Sequence, residues 1–237
     1  KQKSFIRKYC AERAAEAASW GFKDPRVCQF VDEWMQIDLT LKMLIVYRSP
    51  VECSWSIYRR TGREFVHRTH DRRIETRIMT QSDHALALWV THNTKLLEVA
   101  RRFPERVIVV SHEAFVAGFN VAEALREHFG LALTPVDVRQ TFRADAVTRD
   151  VAHLPVSDNT LRDEAIQLWN ALQSLDAGHR DRRENVDLPF LDDPTGLILA
   201  NQLLAIEISE MRKLVNHPSI HGIDDLEGNL EAMQKVA

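Results

Sequence analysis

The sequence predicts an α/β fold with a parallel sheet, and three observations support this fold class. Two continuous apolar runs, at residues 42–47 and within "RVIVVSHEAF" (106–115), have the composition of buried strands in a parallel sheet. Segments with helical spacing separate and follow these runs, so the order strand, helix, helix, strand, helix implies parallel β-α-β crossovers. The length of 237 residues suits one large domain of this class, or one domain with an appendage.

Two helices are predicted ahead of the first strand. Residues 3–18 are rich in alanine with interspersed charges, and Gly21 and Pro25 then break the pattern. Residues 27–37 resume a helical spacing. The apolar stripe of this second helix consists of Val27, Phe30, Val31, Trp34 and Met35.

A third helix is predicted directly after the first strand, because Ser49 is a good N-cap and Pro50 fits the first helical turn. Residues 61–80 are polar and rich in arginine, which indicates a loop with a short helix. Residues 82–103 form the longest predicted helix, and Ser82 can cap it.

Three further helices are predicted beyond the second strand. The segment "NVAEALREHFGL" (120–131) reads as a short helix that Gly130 ends. Residues 160–175 have an amphipathic pattern, and residues 196–215 form a more apolar helix. The helix at 196–215 could pack on its own sheet, on another chain or on a missing domain, which leaves a homo-oligomer open.

Composition excludes several classes of protein. The net charge of −3 argues against a chain-wide nucleic-acid-binding surface. Three cysteines without C-x-x-C spacing predict reduced thiols and a cytoplasmic location, and no metal-ligand spacing is present. No apolar run approaches the roughly 18 residues of a membrane span. Because the chain opens on Lys1 rather than Met, we expect a fragment or a processed product.

The stretch "KMLIVYRSPVECSWSIYRR" (42–60) places Arg48 at the carboxyl end of a predicted parallel strand, where ligands bind in such sheets. Ser56 follows eight residues later, about two turns into the next helix. A guanidinium and a hydroxyl can converge from these positions on one phosphate. The alternative is that Arg48 ends a surface strand and Ser56 is an ordinary helical residue.

This arrangement of strand, Arg-Ser-Pro and a serine eight residues after the arginine resembles the 3′-phosphate-binding segment of the sulfotransferases. That family uses 3′-phosphoadenosine 5′-phosphosulfate as the sulfuryl donor. "WGFKDPR" (20–26) is similar to the W-G-x-K-D-P-R stretch of bacterial sulfotransferase-like proteins. Residues 85–115 resemble their long helix, Arg-x-Pro turn and next strand, and residues 120–131 resemble the helix after it.

The resemblance implies a P-loop-NTPase-like three-layer α/β/α fold, with a sulfotransferase-like core at 1–155 and a helical carboxyl-terminal extension at 156–237 packed on it. It also implies transfer of a sulfuryl group from 3′-phosphoadenosine 5′-phosphosulfate to the hydroxyl of a small-molecule or carbohydrate acceptor. Such transfer needs a base, positive charge and in-line positioning, and it needs no metal in principle.

The resemblance also assigns roles to further residues. Lys23 and Asp24 lie where cytosolic sulfotransferases have a charge-stabilising lysine and a catalytic histidine. Asp24 is therefore the candidate base, although an aspartate beside cations has a lowered pKa and could instead cap the following helix. His112 would stack on the adenine or lie partly buried, and Arg143 and Arg149 would close over the 3′-phosphate or stay on the surface.

One departure from the family concerns the loop that holds the 5′-phosphosulfate, which resembles P-x-S-G-T-[ST]. No such loop is present in the 237 residues, and by family order it would precede Lys1. If the protein lacks the loop, the alternative function is a non-catalytic sulfotransferase-like interaction module. A P-loop kinase would need a Walker lysine loop and Mg²⁺ ligands, and neither is visible.

Seven arginines between Tyr58 and Arg77 form a basic island in an acidic chain, at positions 59, 60, 63, 68, 72, 73 and 77. In the family this region contributes to acceptor access, so a basic lid over an anionic donor is one reading and a solvated loop is the other. No regular alternation of aromatic residues with the arginines supports nucleic-acid stacking, which argues against a nucleic-acid partner.

Overall fold

The computed structural model describes residues 2–17, 20–67, 72–134, 153–178 and 188–215. The chain divides into two compact units, each assembled from stretches that are separate in sequence. Unit 1 is drawn from Lys1–Cys53, Leu86–Ala152 and Thr160–Pro189, and unit 2 from Ser54–Ala85, His153–Asn159 and Phe190–Ala237.

Unit 1 begins with the two helical segments that the sequence predicts. Helix α1 spans Gln2–Glu16, a 3-10 helix spans Pro25–Phe30, and α2 spans Val31–Ile37. Aromatic rings join these segments: the Phe22 and Trp34 ring centroids are 4.9 Å apart, and Tyr9 meets Trp34 edge-on at 5.9 Å. Aromatic contacts thus join α1, which is otherwise rich in alanine, to α2.

The central element of unit 1 is a parallel pair of strands, β1 (Met43–Tyr47) and β2 (Val107–Ser111). The register pairs Met43 with Val107 and Tyr47 with Ser111. Every residue of β2 is buried, as expected for a strand of a parallel sheet. Helices α3 (Pro50–His67), α4 (Arg72–Thr80) and α5 (His84–Arg102) lie between the strands in sequence, so the predicted β-α-β crossover is confirmed.

Two helices after β2 complete the apolar core on that side of unit 1. Helix α6 spans His112–Val116 and α7 spans Val121–Phe129. Gly130 follows α7 with a left-handed φ of 67°, a conformation that glycine adopts without steric cost, so the predicted helix stop is confirmed. The buried cluster formed here comprises Ile108, Val110, Ala114 and Val121.

Helix α8 (Asn159–Gln173) buries Ala165, Leu168, Trp169 and Leu172, the face that the amphipathic pattern predicts. The turn after α8 returns to the sheet. There Asp176 forms a parallel bridge with Val109, and the Ala177 N–H donates to the Val109 carbonyl at 2.9 Å. The chain after α8 therefore lies along the edge of β2 that does not pair with β1.

Unit 2 contains a second parallel pair, β3 (Leu154–Val156) and β4 (Phe190–Asp192), which the sequence does not predict. The last described helix, α9 (Leu197–Val215), contacts β3 and α4. The buried Asp193 carboxylate accepts a hydrogen bond from the Leu199 N–H at 2.9 Å, which satisfies a donor in the first turn of α9.

The prediction of a loop over much of 61–80 is wrong. Helix α3 continues to His67, and residues 72–80 form α4. The reason is a small-residue face on α3: Thr61 is buried, and a Cβ on Gly62 would lie 2.8 Å from Ile206 Cγ2 of α9. Close helix packing favours helix here although the segment is rich in arginine.

The described chain is thus a mixed α/β protein, rich in helix, with two small parallel sheets. The three-layer P-loop-like arrangement and the boundary at residue 155 stay predictions. Among the described residues, no helix has the length and hydrophobicity to cross a membrane.

Candidate anion-binding site

The parallel register brings Arg48 and His112 to the same end of the sheet, where the carboxyl ends of both strands lie. Tyr47 and Ser111 are paired at the last positions of β1 and β2. The next residue of each strand therefore leaves the sheet at the same end, with the strands roughly 4.8 Å apart. We call Arg48, Ser49, Glu52 and His112 the strand-end site.

The Arg48 guanidinium is held by a neighbour on α3. Its Nε donates to Glu52 Oε2 at 2.7 Å, and the two side chains are 24% and 28% exposed. A bidentate side-on contact with an anion would use Nε and one terminal nitrogen of the guanidinium, so Glu52 occupies part of the surface through which Arg48 could hold a phosphate. The spacing of four residues is the usual one for an ion pair along a helix.

The backbone at Arg48 is anchored by Trp89 of α5. The Trp89 Nε1–H donates to the Arg48 carbonyl at 2.9 Å, and Trp89 is buried. The neighbouring Asn93 is also buried and donates to the Trp89 carbonyl within the same helix. These contacts fix the chain at the point where the strand ends.

Helix α3 begins immediately beside Arg48. The Ser49 carbonyl accepts a hydrogen bond from the Cys53 N–H at 2.9 Å, which makes Ser49 the N-cap and Pro50 the first helical residue, as predicted. The first N–H groups of a helix lack partners within the helix, and the helix dipole is positive at this end. The Glu52 carboxylate thus occupies a position that favours negative charge.

His112 completes the strand-end site as the first residue of α6, after its N-cap Ser111. Burial lowers the pKa of His112 below its ordinary value, the Arg48 charge lowers it further, and the Glu52 carboxylate opposes the shift. The imidazole is therefore mainly neutral near pH 7, and a neutral, half-buried ring suits stacking better than ion pairing.

A buried polar network involves the last residues of both strands, next to the strand-end site. Asp176 accepts a hydrogen bond from the Tyr47 hydroxyl at 2.9 Å, another from the Ser111 N–H at 3.1 Å, and a third from the Gly178 N–H at 2.8 Å. Burial, and after it the Asp176 carboxylate, raises the pKa of Tyr47 well above its ordinary value. The network ties the last residues of both strands together.

No local sequence signal identifies Asp176, because its partners Tyr47 and Ser111 are 129 and 65 residues away. The Arg48–Glu52 pair, in contrast, has a signal in the sequence, since an arginine and a glutamate four residues apart at a helix start favour such a pair.

Ser56 is exposed on α3 and belongs to unit 2, whereas Arg48 belongs to unit 1. The convergence of Ser56 with Arg48 on one phosphate therefore stays a prediction. Arg143 and Arg149 lie outside the described residues, so their predicted roles stay predictions as well.

Asp24 is the N-cap of the 3-10 helix and accepts a hydrogen bond from the Arg26 N–H at 2.9 Å. The Arg26 guanidinium also holds both carboxylate oxygens, with the closest contact at 2.6 Å. The side-chain hydrogen bond from Arg26 is the largest of the effects that lower the pKa of Asp24 to about 2. The prediction of a lowered pKa and a capping role is confirmed.

Lys23 is exposed beside Asp24. In the part of the chain that the structure describes, neither side chain forms a hydrogen bond or an ion pair with Arg48 or His112. The roles of Lys23 and Asp24 in catalysis stay predictions.

Within the described residues, no group of three or more His, Cys, Asp or Glu side chains is placed to hold a metal ion. A scan of protein-family models, a search of curated proteins and a search of solved structures found no match to this chain. The chemistry of the strand-end site must therefore be argued from its own residues.

Proposed function

We propose that the chain is a sulfotransferase domain that binds the 3′-phosphate of 3′-phosphoadenosine 5′-phosphosulfate at the strand-end site. The donor's sulfuryl group would go to the hydroxyl of a small-molecule or carbohydrate acceptor. The observation that carries the proposal is the position of Arg48, at the carboxyl end of a parallel strand and beside the start of α3. The proposal includes a three-layer P-loop-NTPase-like core and a reduced, cytoplasmic setting.

The physical support comes from two contributions that favour an anion and a third that suits an adenine. The Arg48 guanidinium supplies a charged, planar pair of donors. The first turn of α3 supplies the positive end of the helix dipole. The mainly neutral His112 imidazole, at the start of α6, supplies a flat ring on which an adenine could stack. The "RSP…S" resemblance selects a nucleotide 3′-phosphate among such anions.

The Arg48–Glu52 ion pair has to open when the phosphate arrives. A phosphate carries more negative charge and more acceptor oxygens than a carboxylate, so it can replace Glu52 on the guanidinium. Ser56 and Arg149 would add donors from outside the strand-end site.

The proposed transfer step assigns positive charge at the sulfuryl oxygens to Lys23 and proton removal from the acceptor to Asp24. A carboxylate with a pKa of about 2 and both oxygens on Arg26 is a weak base. The Asp24 role therefore requires Arg26 to withdraw when donor and acceptor bind. This same observation favours the second candidate function, a sulfotransferase-like module that binds its ligand without catalysis.

The test is calorimetric titration with adenosine 3′,5′-bisphosphate, the desulfated product, against adenosine 5′-monophosphate as the ligand that lacks the 3′-phosphate. Arg48→Gln should weaken bisphosphate binding by about 10- to 100-fold, since hydrogen bonds to charged groups contribute roughly 1.5–3 kcal/mol. It should also abolish the preference for the bisphosphate.

Arg126→Gln is the matched control, because Arg126 is exposed on α7 outside the strand-end site. Equal affinity of the wild-type chain for both nucleotides would contradict the proposal. Transfer of labelled sulfate from the donor to acceptor hydroxyls separates the enzyme from the non-catalytic module, which would bind the bisphosphate with the same dependence on Arg48 and transfer nothing.

A further inference from the structure

Helix α9 has two apolar faces, and the described part of the chain covers only one of them. The inner face buries Leu199 and Leu203, which are 1% and 4% exposed. The outer face leaves Leu197 64% exposed and Leu204 51% exposed. Large apolar side chains exposed in a row mark interaction surfaces, whereas single ones are common on any protein.

The outer face follows a heptad pattern. Its residues recur at alternating intervals of four and three along the whole helix, and all of them are exposed. We call this row the α9 seam: Leu197, Asn201, Leu204, Ile208, Met211 and Val215. A spacing of 3.5 residues is the one that keeps a stripe facing a partner helix in a left-handed coiled coil.

The residue types along the α9 seam match those of a parallel two-stranded coiled coil. The intervals place Asn201, Ile208 and Val215 at a positions, and the other three seam residues, two leucines and a methionine, at d positions. β-branched residues at a with leucine at d favour dimers. A single asparagine at a position a favours a parallel, in-register pair, because its amide is satisfied by the same amide of the second helix.

The charges beside the α9 seam agree with the same partner. Glu207 falls at a g position and Arg212 at the e position five residues later. In a parallel pair, each Glu207 meets Arg212 of the second copy, which gives two attractive contacts. An antiparallel pair would bring g to g and e to e, and would therefore set like charges against each other.

We propose that α9 binds α9 of a second copy of this chain as a parallel two-stranded coiled coil through the α9 seam. The seam extends over 19 residues, about 28 Å at 1.5 Å per residue. The pair is symmetric, so the same patch serves both copies. The inner face of α9 keeps its contacts with β3 and α4 in the dimer.

The first test measures the mass of the full chain by sedimentation equilibrium from about 1 to 100 µM. The wild-type chain should sediment as a dimer. Leu204→Glu and Ile208→Glu should each raise the dissociation constant at least a hundredfold, because each places two charges in a desolvated seam. Ser209→Glu is the control, since it adds the same charge at an exposed position next to the seam. Far-ultraviolet circular dichroism checks that each variant is folded.

The second test concerns the partner's orientation. Glu207→Arg and Arg212→Glu should each weaken the dimer by about threefold to tenfold, and the double reversal should restore it. Asn201→Cys should form a symmetric disulfide under mild oxidation, with the parent chain as the control for Cys10, Cys28 and Cys53.

A monomer at every concentration would overturn the proposal. A monomer whose α9 amides are strongly protected from hydrogen exchange would also overturn it, and would point to residues 216–237 as the cover. A dimer that the double reversal fails to restore, or that Asn201→Cys fails to cross-link, would overturn the parallel arrangement.

Discussion

Replacing Glu52 with glutamine should tighten nucleotide binding and at the same time lower the stability of the folded chain. The carboxylate is 2.7 Å from Arg48 Nε in the absence of ligand, so a phosphate has to displace it. Glutamine removes that competition and also the repulsion between carboxylate and phosphate. Opposite signs for affinity and stability follow from a single substitution.

The size of the affinity gain can be worked from the geometry. The pair is partly exposed, at 24% and 28%, so opening it costs about 0.5 kcal/mol by analogy with exposed helical pairs. Once displaced from the guanidinium, the carboxylate would still lie about 7 Å from the phosphate, where like unit charges repel by roughly 0.6 kcal/mol in water and roughly 2.4 kcal/mol at an effective dielectric of 20. The sum of about 1–3 kcal/mol corresponds to a gain of about fivefold to a hundredfold.

The stability loss has two sources. An acidic residue in the first turn of a helix stabilises it by about 0.3–1 kcal/mol, and the ion pair adds about 0.5 kcal/mol. Glu52→Gln should therefore lower the free energy of unfolding by about 1 kcal/mol. Urea denaturation measures this loss, and calorimetry with adenosine 3′,5′-bisphosphate measures the gain.

Glu123→Gln provides the matched control. Glu123 lies in the first turn of α7 and accepts a hydrogen bond from the Asn120 side chain at 3.0 Å, so its loss should cost similar stability. It is outside the strand-end site and should leave affinity unchanged. If Glu52→Gln weakens binding or leaves it unchanged, Glu52 does not compete for the phosphate position and the reasoning fails.

Three further predictions concern the elements that support the site. Asp24→Asn keeps an N-cap but removes the charge. The pKa of Asp24 is about 2 in the folded chain and 3.8 ordinarily. The wild-type chain should therefore be more stable than the variant above about pH 4, and this advantage should be lost as the pH falls through 2. A wild-type advantage in thermal melts that is as large at pH 2 as at pH 5 would contradict this. Tyr47→Phe removes the donor to the buried Asp176 and should lower the free energy of unfolding by about 1–3 kcal/mol in urea, and a change below 0.5 kcal/mol would show that the network is not maintained in solution. Gly178→Ala places a Cβ 2.5 Å from the Ala114 Cβ and should cost about 1–3 kcal/mol, whereas Gly21→Ala, with nothing within 4 Å, should cost little; equal melting temperatures for the two variants would rule out the close approach.

The features that the sequence predicts correctly all have local causes. The strand over 43–47 is a continuous apolar run, and Ser49-Pro50 is a helix start with its own capping chemistry. Gly130 ends α7 because its left-handed φ of 67° favours glycine. The parallel pairing of β1 with β2 follows from the helices between them, since a crossover connection imposes that direction.

The features that the sequence does not reveal depend on distant partners or on very short elements. Asp176 looks like a turn residue until the fold places it against Tyr47 and Ser111. Strands β3 and β4 have three residues each, too few for a periodic signal. The helix over 61–67 depends on the close packing of Gly62 against Ile206. The high arginine content of this segment gives no indication of that contact.

For the site, the sequence predicts that Arg48 and His112 follow neighbouring strands. The carboxyl ends of parallel strands lie at the same end of the sheet, so the two residues are expected there together. The sequence does not predict that Glu52 holds the guanidinium or that Arg26 holds Asp24, although both pairs have short spacings. In both cases a candidate site residue forms an ion pair with a nearby residue of opposite charge. Only the structure shows that these pairs form.

The most direct test of the central claim is a crystal structure of the chain with adenosine 3′,5′-bisphosphate. The 3′-phosphate should lie within hydrogen-bonding distance, about 3 Å, of Arg48 Nε and a terminal nitrogen, with the Glu52 carboxylate moved off the guanidinium. Nucleotide bound elsewhere, with the Arg48–Glu52 pair intact, would contradict it.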